Sequence, residues 1–199
     1  MNVQACVVTA FVGLTSPLMA QSLSVNLSWN TTSIATGDTA TGTVSASFSG
    51  FADGSYLSSV NIDLIGSSNA FRVISVGTVP WNNAALGFDG QGTASGVDVL
   101  GVEASQFSLI PPFSTDNPVL VFSFEVQRIG NGVLQYSADV ADGAPFAFSV
   151  TGPLFNDQPV SFGSEVFTSR ALIGIPAPAA LPVLGSAALF AGRRRRSVS

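Results

Sequence analysis

Apolar side chains recur at every second position along most of this chain, which is the period of a strand with one face in a core and the other in water. The clearest runs are Leu23, Val25, Leu27 and Trp29; Val44, Ala46 and Phe48; and Val60, Ile62 and Leu64. Later come Leu120, Phe122, Phe124 and Val126; Leu134, Tyr136, Ala138 and Val140; and Phe146, Phe148 and Val150. Weaker runs cover residues 71–79, 97–102 and 160–167. Turn chemistry falls between them at Thr36-Gly37-Asp38, Ala52-Asp53-Gly54, Asp89-Gly90, Gly130-Asn131-Gly132 and Asp142-Gly143, where glycine supplies positive φ or an acidic side chain caps the bend. With no helical stretch between Gln21 and Arg170, about nine short strands joined by turns predict an all-β domain, a two-sheet antiparallel β-sandwich.

The chain has 199 residues, room for one ordinary domain plus targeting segments. Only 10% of the residues are charged, and 15 phenylalanines accompany many valines and threonines, so the sequence is not that of a disordered chain. The formal net charge of -5 conceals an asymmetry, because four of the seven basic residues are Arg193, Arg194, Arg195 and Arg196. Setting them aside leaves Arg72, Arg128 and Arg170 against 12 acidic residues, a net charge of -9 for the body. Such a body repels phosphate backbones, which argues against nucleic acid as a partner.

Both ends read as addresses. Residues 5–19 form an uncharged apolar run that ends at Leu18-Met19-Ala20, and this predicts a secretory signal peptide cut between Ala20 and Gln21. Its n-region has no Lys or Arg, and an N-terminal core element is the other reading of the same residues. Removal of residues 1–20 would take with it Cys6, the single cysteine of the chain. Toward the other end, residues 171–192 carry no charge and are followed at once by the four arginines, which are expected to stay cytoplasmic while the domain lies outside. A spanning helix needs about 20 apolar residues. The run from Ala179 to Gly192 is shorter, Ala-rich and interrupted by Pro182 and Gly185, so it predicts a short transmembrane segment that anchors weakly.

Ile175-Pro176-Ala177-Pro178, this apolar run and the cluster Arg193–Arg196 together resemble a PEP-CTERM sorting signal, with Ala177 where that family commonly has Glu. The resemblance implies an exosortase-type processing enzyme as partner, cleavage near Pro176–Pro178, a membrane-inserted precursor and delivery to the cell surface or an exopolysaccharide matrix. A plain tail anchor with a stop-transfer cluster is the alternative. The expected division is a signal peptide at 1–20, a sandwich at 21–170 and a sorting segment at 171–199. In strand order and turn placement the body resembles cohesin-like and carbohydrate-binding sandwiches. The Gly37-Asp38 turn before the Val44 strand, and the strand at 119–126 followed by a glycine turn and the Leu134 strand, carry that likeness.

Little chemistry is available to such a chain. It has no His, no Lys and no mature Cys, so Ser-His-Asp and Cys-His nucleophiles, Schiff bases and His-ligated metals are excluded. A glycosidase would need two carboxylates roughly 5–9.5 Å apart across a sugar, and the spacing of the acids singles out no pair. The protein is therefore expected not to be an enzyme and to need no cofactor. Calcium is the one ion to weigh, with Asp139, Asp142-Gly143 or Asp89 as oxygen donors against a reading of these residues as ordinary Asx turns. For sugar binding the candidates are Trp81, in a loop beside Asn82 and Asn83, and Tyr56, after the Asp53-Gly54 turn, although Trp81 also reads as a cap on the core. Asn26-Leu27-Ser28 and Asn30-Thr31-Thr32 match the glycosylation sequon, a coincidence in a chain with this tail. The expected function is a non-enzymatic structural or adhesive role at the surface or in the matrix; the alternative is a module that recognises a polysaccharide or a protein.

Overall fold

In β1 (Ser22–Trp29) the alternation becomes a sheet: Leu23, Val25 and Leu27 are buried while Ser22, Ser24, Asn26 and Ser28 face water. The computed structural model describes residues 20–154 and 156–175, and among these it has 14 strands and two short 3-10 turns, Ala84–Leu86 and Ser164–Val166. The first sheet runs β13 (Phe167–Ser169), β1, β3 (Thr39–Ser49), β8 (Val119–Arg128) and β5 (Phe71–Val76). The second runs β12 (Val160–Phe162), β11 (Phe148–Thr151), β4 (Tyr56–Gly66), β7 (Asp98–Ser105) and β6 (Thr93–Ser95), with β10 (Tyr136–Val140) also paired to β4. A third, small sheet joins β2 (Ser33–Ile34), β14 (Leu172–Gly174) and β9 (Val133–Leu134).

The all-β sandwich is as expected, with three differences. The strands outnumber the expected nine because segments read as single strands change sheet: Val160–Phe167 gives β12 in one sheet and β13 in the other, with the Ser164–Val166 turn between. Likewise Leu134 ends β9 and Tyr136 begins β10. Two pairings, β1 with β13 and β2 with β14, are parallel, and in each case the long stretch of chain between the two strands leaves room for the crossover that a parallel pair needs. The ordered body also continues beyond Arg170, since β14 pairs on both sides and Leu172 is fully buried. Among the described residues no helix is long and apolar enough to cross a membrane; residues 1–19 and 176–199, with the expected signal peptide and C-terminal hydrophobic helix, lie outside the described residues.

Four of the five expected turns hold a glycine at positive φ, namely Gly37, Gly54, Gly90 and Gly143. The fifth, Gly130-Asn131-Gly132, serves Arg128 instead. That side chain is wholly buried, and its Nε donates to Gly130 O (2.6 Å), Nη1 to Ile34 O (3.1 Å) and Nη2 to Asn131 Oδ1 (2.6 Å). The flat guanidinium lies against Gly174, where a Cβ would sit 2.5 Å from Nε. One cation thus ties the end of β8 to β2, β14 and the loop into β9.

Between the two large sheets, Trp29, Phe124 and Tyr136 pack as an aromatic cluster, with Trp29 and Phe124 centroids 5.7 Å apart and Phe124 and Tyr136 centroids 5.3 Å apart, both edge to face. The Tyr136 hydroxyl donates to Val97 O at 2.7 Å. Burial pushes its ionisation well above the usual phenol range, and the nearby Asp98 charge adds to the shift. Above about pH 10 the unfolded chain releases this proton while the folded one keeps it, so stability falls as pH rises through that region. Thermal melts between pH 9 and 11.5 are expected to show this decline, and Tyr136→Phe is expected to flatten it while losing about 1 kcal/mol at neutral pH. An unchanged slope in that variant would show that Tyr136 is not its source.

Candidate functional site

The outer face of the second sheet is floored by hydroxyl groups, and a β-bulge puts them there. Ser149 of β11 pairs with Ser59 of β4, but the next pair is Val150 with Leu57, so Ser58 is the extra residue. Ser58 and Ser59 therefore both reach Ser149, each Oγ at 2.7 Å from its Oγ. Thr151 Oγ1 donates to Ser58 Oγ at 2.7 Å, and Ser105 Oγ of β7 donates to Ser58 O at 3.2 Å.

Loops rise around this floor to enclose an open groove of about 630 Å³. Phe88, Phe107 and Phe146 give it apolar walls, and Glu103, Asp142 and Asp157 give it negative charge. No basic residue lines it. Side-chain amides brace each wall, those of Asn61 and Gln106 buried and that of Asn82 half-buried. Asn61 donates through Nδ2 to Phe146 O at 3.4 Å, and its backbone bonds Ala141 and Ala147 at either end of the Asp142–Phe146 loop. Gln106 donates through Nε2 to Leu57 O (2.6 Å) and Ser114 O (3.1 Å), while its Oε1 accepts from Ser114 N (2.8 Å). Asn82 Oδ1 accepts from Ser105 N and its Nδ2 donates to Phe88 O, which sets the third wall. The walls at Asn61 and Gln106 are held firmly, because these buried amides would otherwise lack partners.

The residues singled out from the sequence are placed as follows. Trp81 is 3% exposed, belongs to the core cluster and donates through Nε1 to Leu120 O at 2.9 Å, so it caps the core under its loop. Tyr56 is also buried; it borders the groove and meets Phe113 edge to face at 4.7 Å. Asn82 and Asn83, read as amides beside an exposed ring, act as braces instead, with Asn83 donating to Ile110 O at 3.1 Å. Among the described residues no three acidic side chains gather into a cation cage. Asp89 Oδ1 accepts from Gln91 N as an Asx turn, and Asp139 lies across from Asp63, whose Oδ1 accepts from Gly101 N. Ala20 and Gln21 open the described segment, and Ile175 N donates to Ile34 O at 3.0 Å at its close. Pro176, Ala177, Pro178 and Arg193–Arg196 lie outside the described residues.

The groove was not legible beforehand. Its floor residues are small and polar in a strand already counted as core, and the single sequence signal is the pair Ser58-Ser59, which breaks the alternation between Leu57 and Val60.

The sequence matches no family model and no curated protein. Among solved structures, the fold is similar to that of the second type II cohesin module from the cellulosomal adaptor ScaA scaffoldin of Acetivibrio cellulolyticus, with a TM-score of 0.51 at 8% identity over 79% of this chain and 100% of that one. A type I cohesin–dockerin complex (Coh-OlpA-Doc918) from Clostridium thermocellum gives a TM-score of 0.49 at 11% identity, over 76% of this chain and 99% of that one. The body is thus a cohesin-like β-sandwich in fold.

Proposed function

We propose that this chain is an exported, surface-delivered, non-enzymatic binding module that holds a partner protein in the groove on β4, β7 and β11. The observation that carries this reading is the groove itself: three phenylalanines stand over a hydroxyl floor, and hydrogen-bonded amides hold the walls in place. Apolar walls around a few fixed polar groups are the usual make-up of a recognition site. The fold shared with a module of an adaptor scaffoldin supports a protein as the occupant. The acids of the groove, with no basic residue among them, favour a neutral or basic segment of that partner.

Export and sorting rest on the terminal addresses read from the sequence. Intact-mass measurement of the protein extracted from the native surface is expected to show loss of residues 1–20 and of the arginine cluster. Recovery of the arginine cluster in the membrane fraction would leave an anchored protein.

The groove is tested by placing a photo-crosslinking amino acid at Phe146 and, as control, at Asp53 in the native host. One stoichiometric protein adduct is expected from position 146 and none from 53. In a second chain carrying Phe88→Ala with the crosslinker at 146, its yield should fall at least tenfold. Equal adducts at both positions would reject the groove as the site. Saturable binding on a glycan panel, abolished by Phe88→Ala, would replace the protein partner with a polysaccharide.

A further inference from the structure

The small sheet of β2, β14 and β9 has an inner and an outer face of the same aliphatic character. On the inner face Leu172 pairs with Leu134, and both are fully buried. On the outer face Ile173 pairs with Val133, which puts their side chains next to each other, and they are 46% and 51% exposed. Ile175, two residues on and 44% exposed, extends the row, its amide bonded to Ile34 O. A sheet with one solvated face ordinarily turns polar residues outward. Here no residue of the three strands is charged. A contiguous aliphatic surface of this kind marks a contact.

We infer that this outer face, Val133, Ile173 and Ile175, rests on the surface of the lipid bilayer while the C-terminal segment is inserted. The inference rests on the reading of residues 179–192 as a membrane segment. Its independent support is where the chain leaves the sheet. Only Pro176, Ala177 and Pro178 separate Ile175 from Ala179, so the two Cα atoms are at most about 14 Å apart. Each headgroup zone is roughly 5–8 Å thick, so about a third to a half of that tether is spent in crossing it. With Ala179 at the hydrocarbon edge, the remaining tether holds Ile175 within about 6–9 Å of the headgroup surface, close enough for the outer face to rest on it. An acidic surface held there would be repelled by anionic lipid, and the strands of this face carry no charge although the body as a whole is at -9.

The orientation that results bears on the groove. The small sheet lies at the Gly66 end of β4, where Ser67 N donates to Gln135 O and Gly132 approaches Ser68. The groove takes its floor from Ser58, Ser59 and Asn61, toward the Tyr56 end. β4 spans 11 residues, about 35 Å of strand. Contact at one end therefore presents the groove away from the membrane, open to a partner in the surrounding medium.

The test uses the full chain with Cys6→Ser, reconstituted in phosphatidylcholine vesicles, with single cysteines carrying an environment-sensitive fluorophore. Labels go at Val133→Cys and Ile173→Cys on the face, at Asp53→Cys beyond the far end of β4, and at Ala187→Cys in the tail. With a lipid-borne nitroxide near the headgroups, the face labels are expected to be quenched at least three times as strongly as the Asp53 label. Face labels quenched no more than that control, with the tail label quenched, would overturn the docking surface and leave the inserted tail standing. Quenching of neither face nor tail would overturn both. Quenching of the face without the tail would overturn the proposal as stated, because the tether that places the face on lipid would be gone. A blue shift of the face labels without vesicles would identify a second copy of the chain as the occupant and also overturn the proposal.

Discussion

Replacing Arg128 with alanine is expected to lower the stability of the domain by about 2–4 kcal/mol, among the larger losses any single change would cause. The guanidinium is fully buried and donates to three acceptors: Gly130 O, Asn131 Oδ1 and Ile34 O, the last of which it shares with the Ile175 amide. The cost comes from the lost charge-assisted bonds and the space left by the side chain, because Ile34 O keeps the Ile175 amide and Asn131 is exposed to water, which leaves Gly130 O as the acceptor most affected. Arg128→Lys should recover only part of the loss, because an ammonium on a single stem cannot reach three acceptors set around a planar fork. Urea denaturation gives the size of the effect, and hydrogen exchange gives its location. The amides of Ile173, Gly174 and Ile175, which donate to Thr32, Gly132 and Ile34, should lose protection first. An Arg128→Ala variant within about 1 kcal/mol of the parent would show that the small sheet does not depend on this side chain. The consequence would reach function, because the same sheet carries the aliphatic face placed against lipid.

Arg128 also marks the limit of what the sequence discloses. It follows Leu120, Phe122, Phe124 and Val126 in phase, so alternation alone assigns position 128 to the core, yet an arginine there reads as the end of a strand. Nothing local indicates that a loop two residues later will fold back to receive it, since the acceptors at Ile34 and Asn131 lie at very different distances along the chain. The long strands were legible because each buries one face along its whole length, as in β1 and β3. The two- and three-residue strands β2, β9, β13 and β14 were not, because a period of two needs several residues to show itself. The groove was hidden for a related reason. Its floor depends on the bulge that brings Ser58 and Ser59 together against Ser149, about 90 residues away, and a bulge leaves only a break in pattern. Trp81 and Tyr56 drew attention because aromatic residues are conspicuous in a sequence, whereas Asn61, Asn82 and Gln106, which shape the walls, are not.

Leu120 and Phe124 stand at equivalent positions in one alternating run, yet truncating them is expected to have very different effects. The register between β3 and β8 shifts between Val44 and Ser45, so that Phe122 faces Val44 while Leu120 faces Ser45. From that point toward the start of β8 the phase inverts: Val121 and Val119 turn inward, and Leu120 is left 44% exposed. Phe124, beyond the shift, is fully buried between Trp29 and Tyr136. Phe124→Ala is therefore expected to cost about 3–5 kcal/mol, from lost burial and from a cavity that two large rings cannot easily close. Leu120→Ala keeps the carbonyl that accepts from Trp81 and removes a half-exposed side chain, so its cost is expected to stay below about 1 kcal/mol. Urea midpoints at unchanged m-value separate the two cases. Equal losses would mean that β8 keeps a single phase and that Leu120 faces the core. A small loss for Phe124 would mean that the aromatic cluster does not join the two sheets. The difference between these two residues lies in Val121, the one extra residue that β8 itself places between Leu120 and Phe122 against consecutive residues of β3, and two adjacent apolar residues do not reveal which of them begins the new phase.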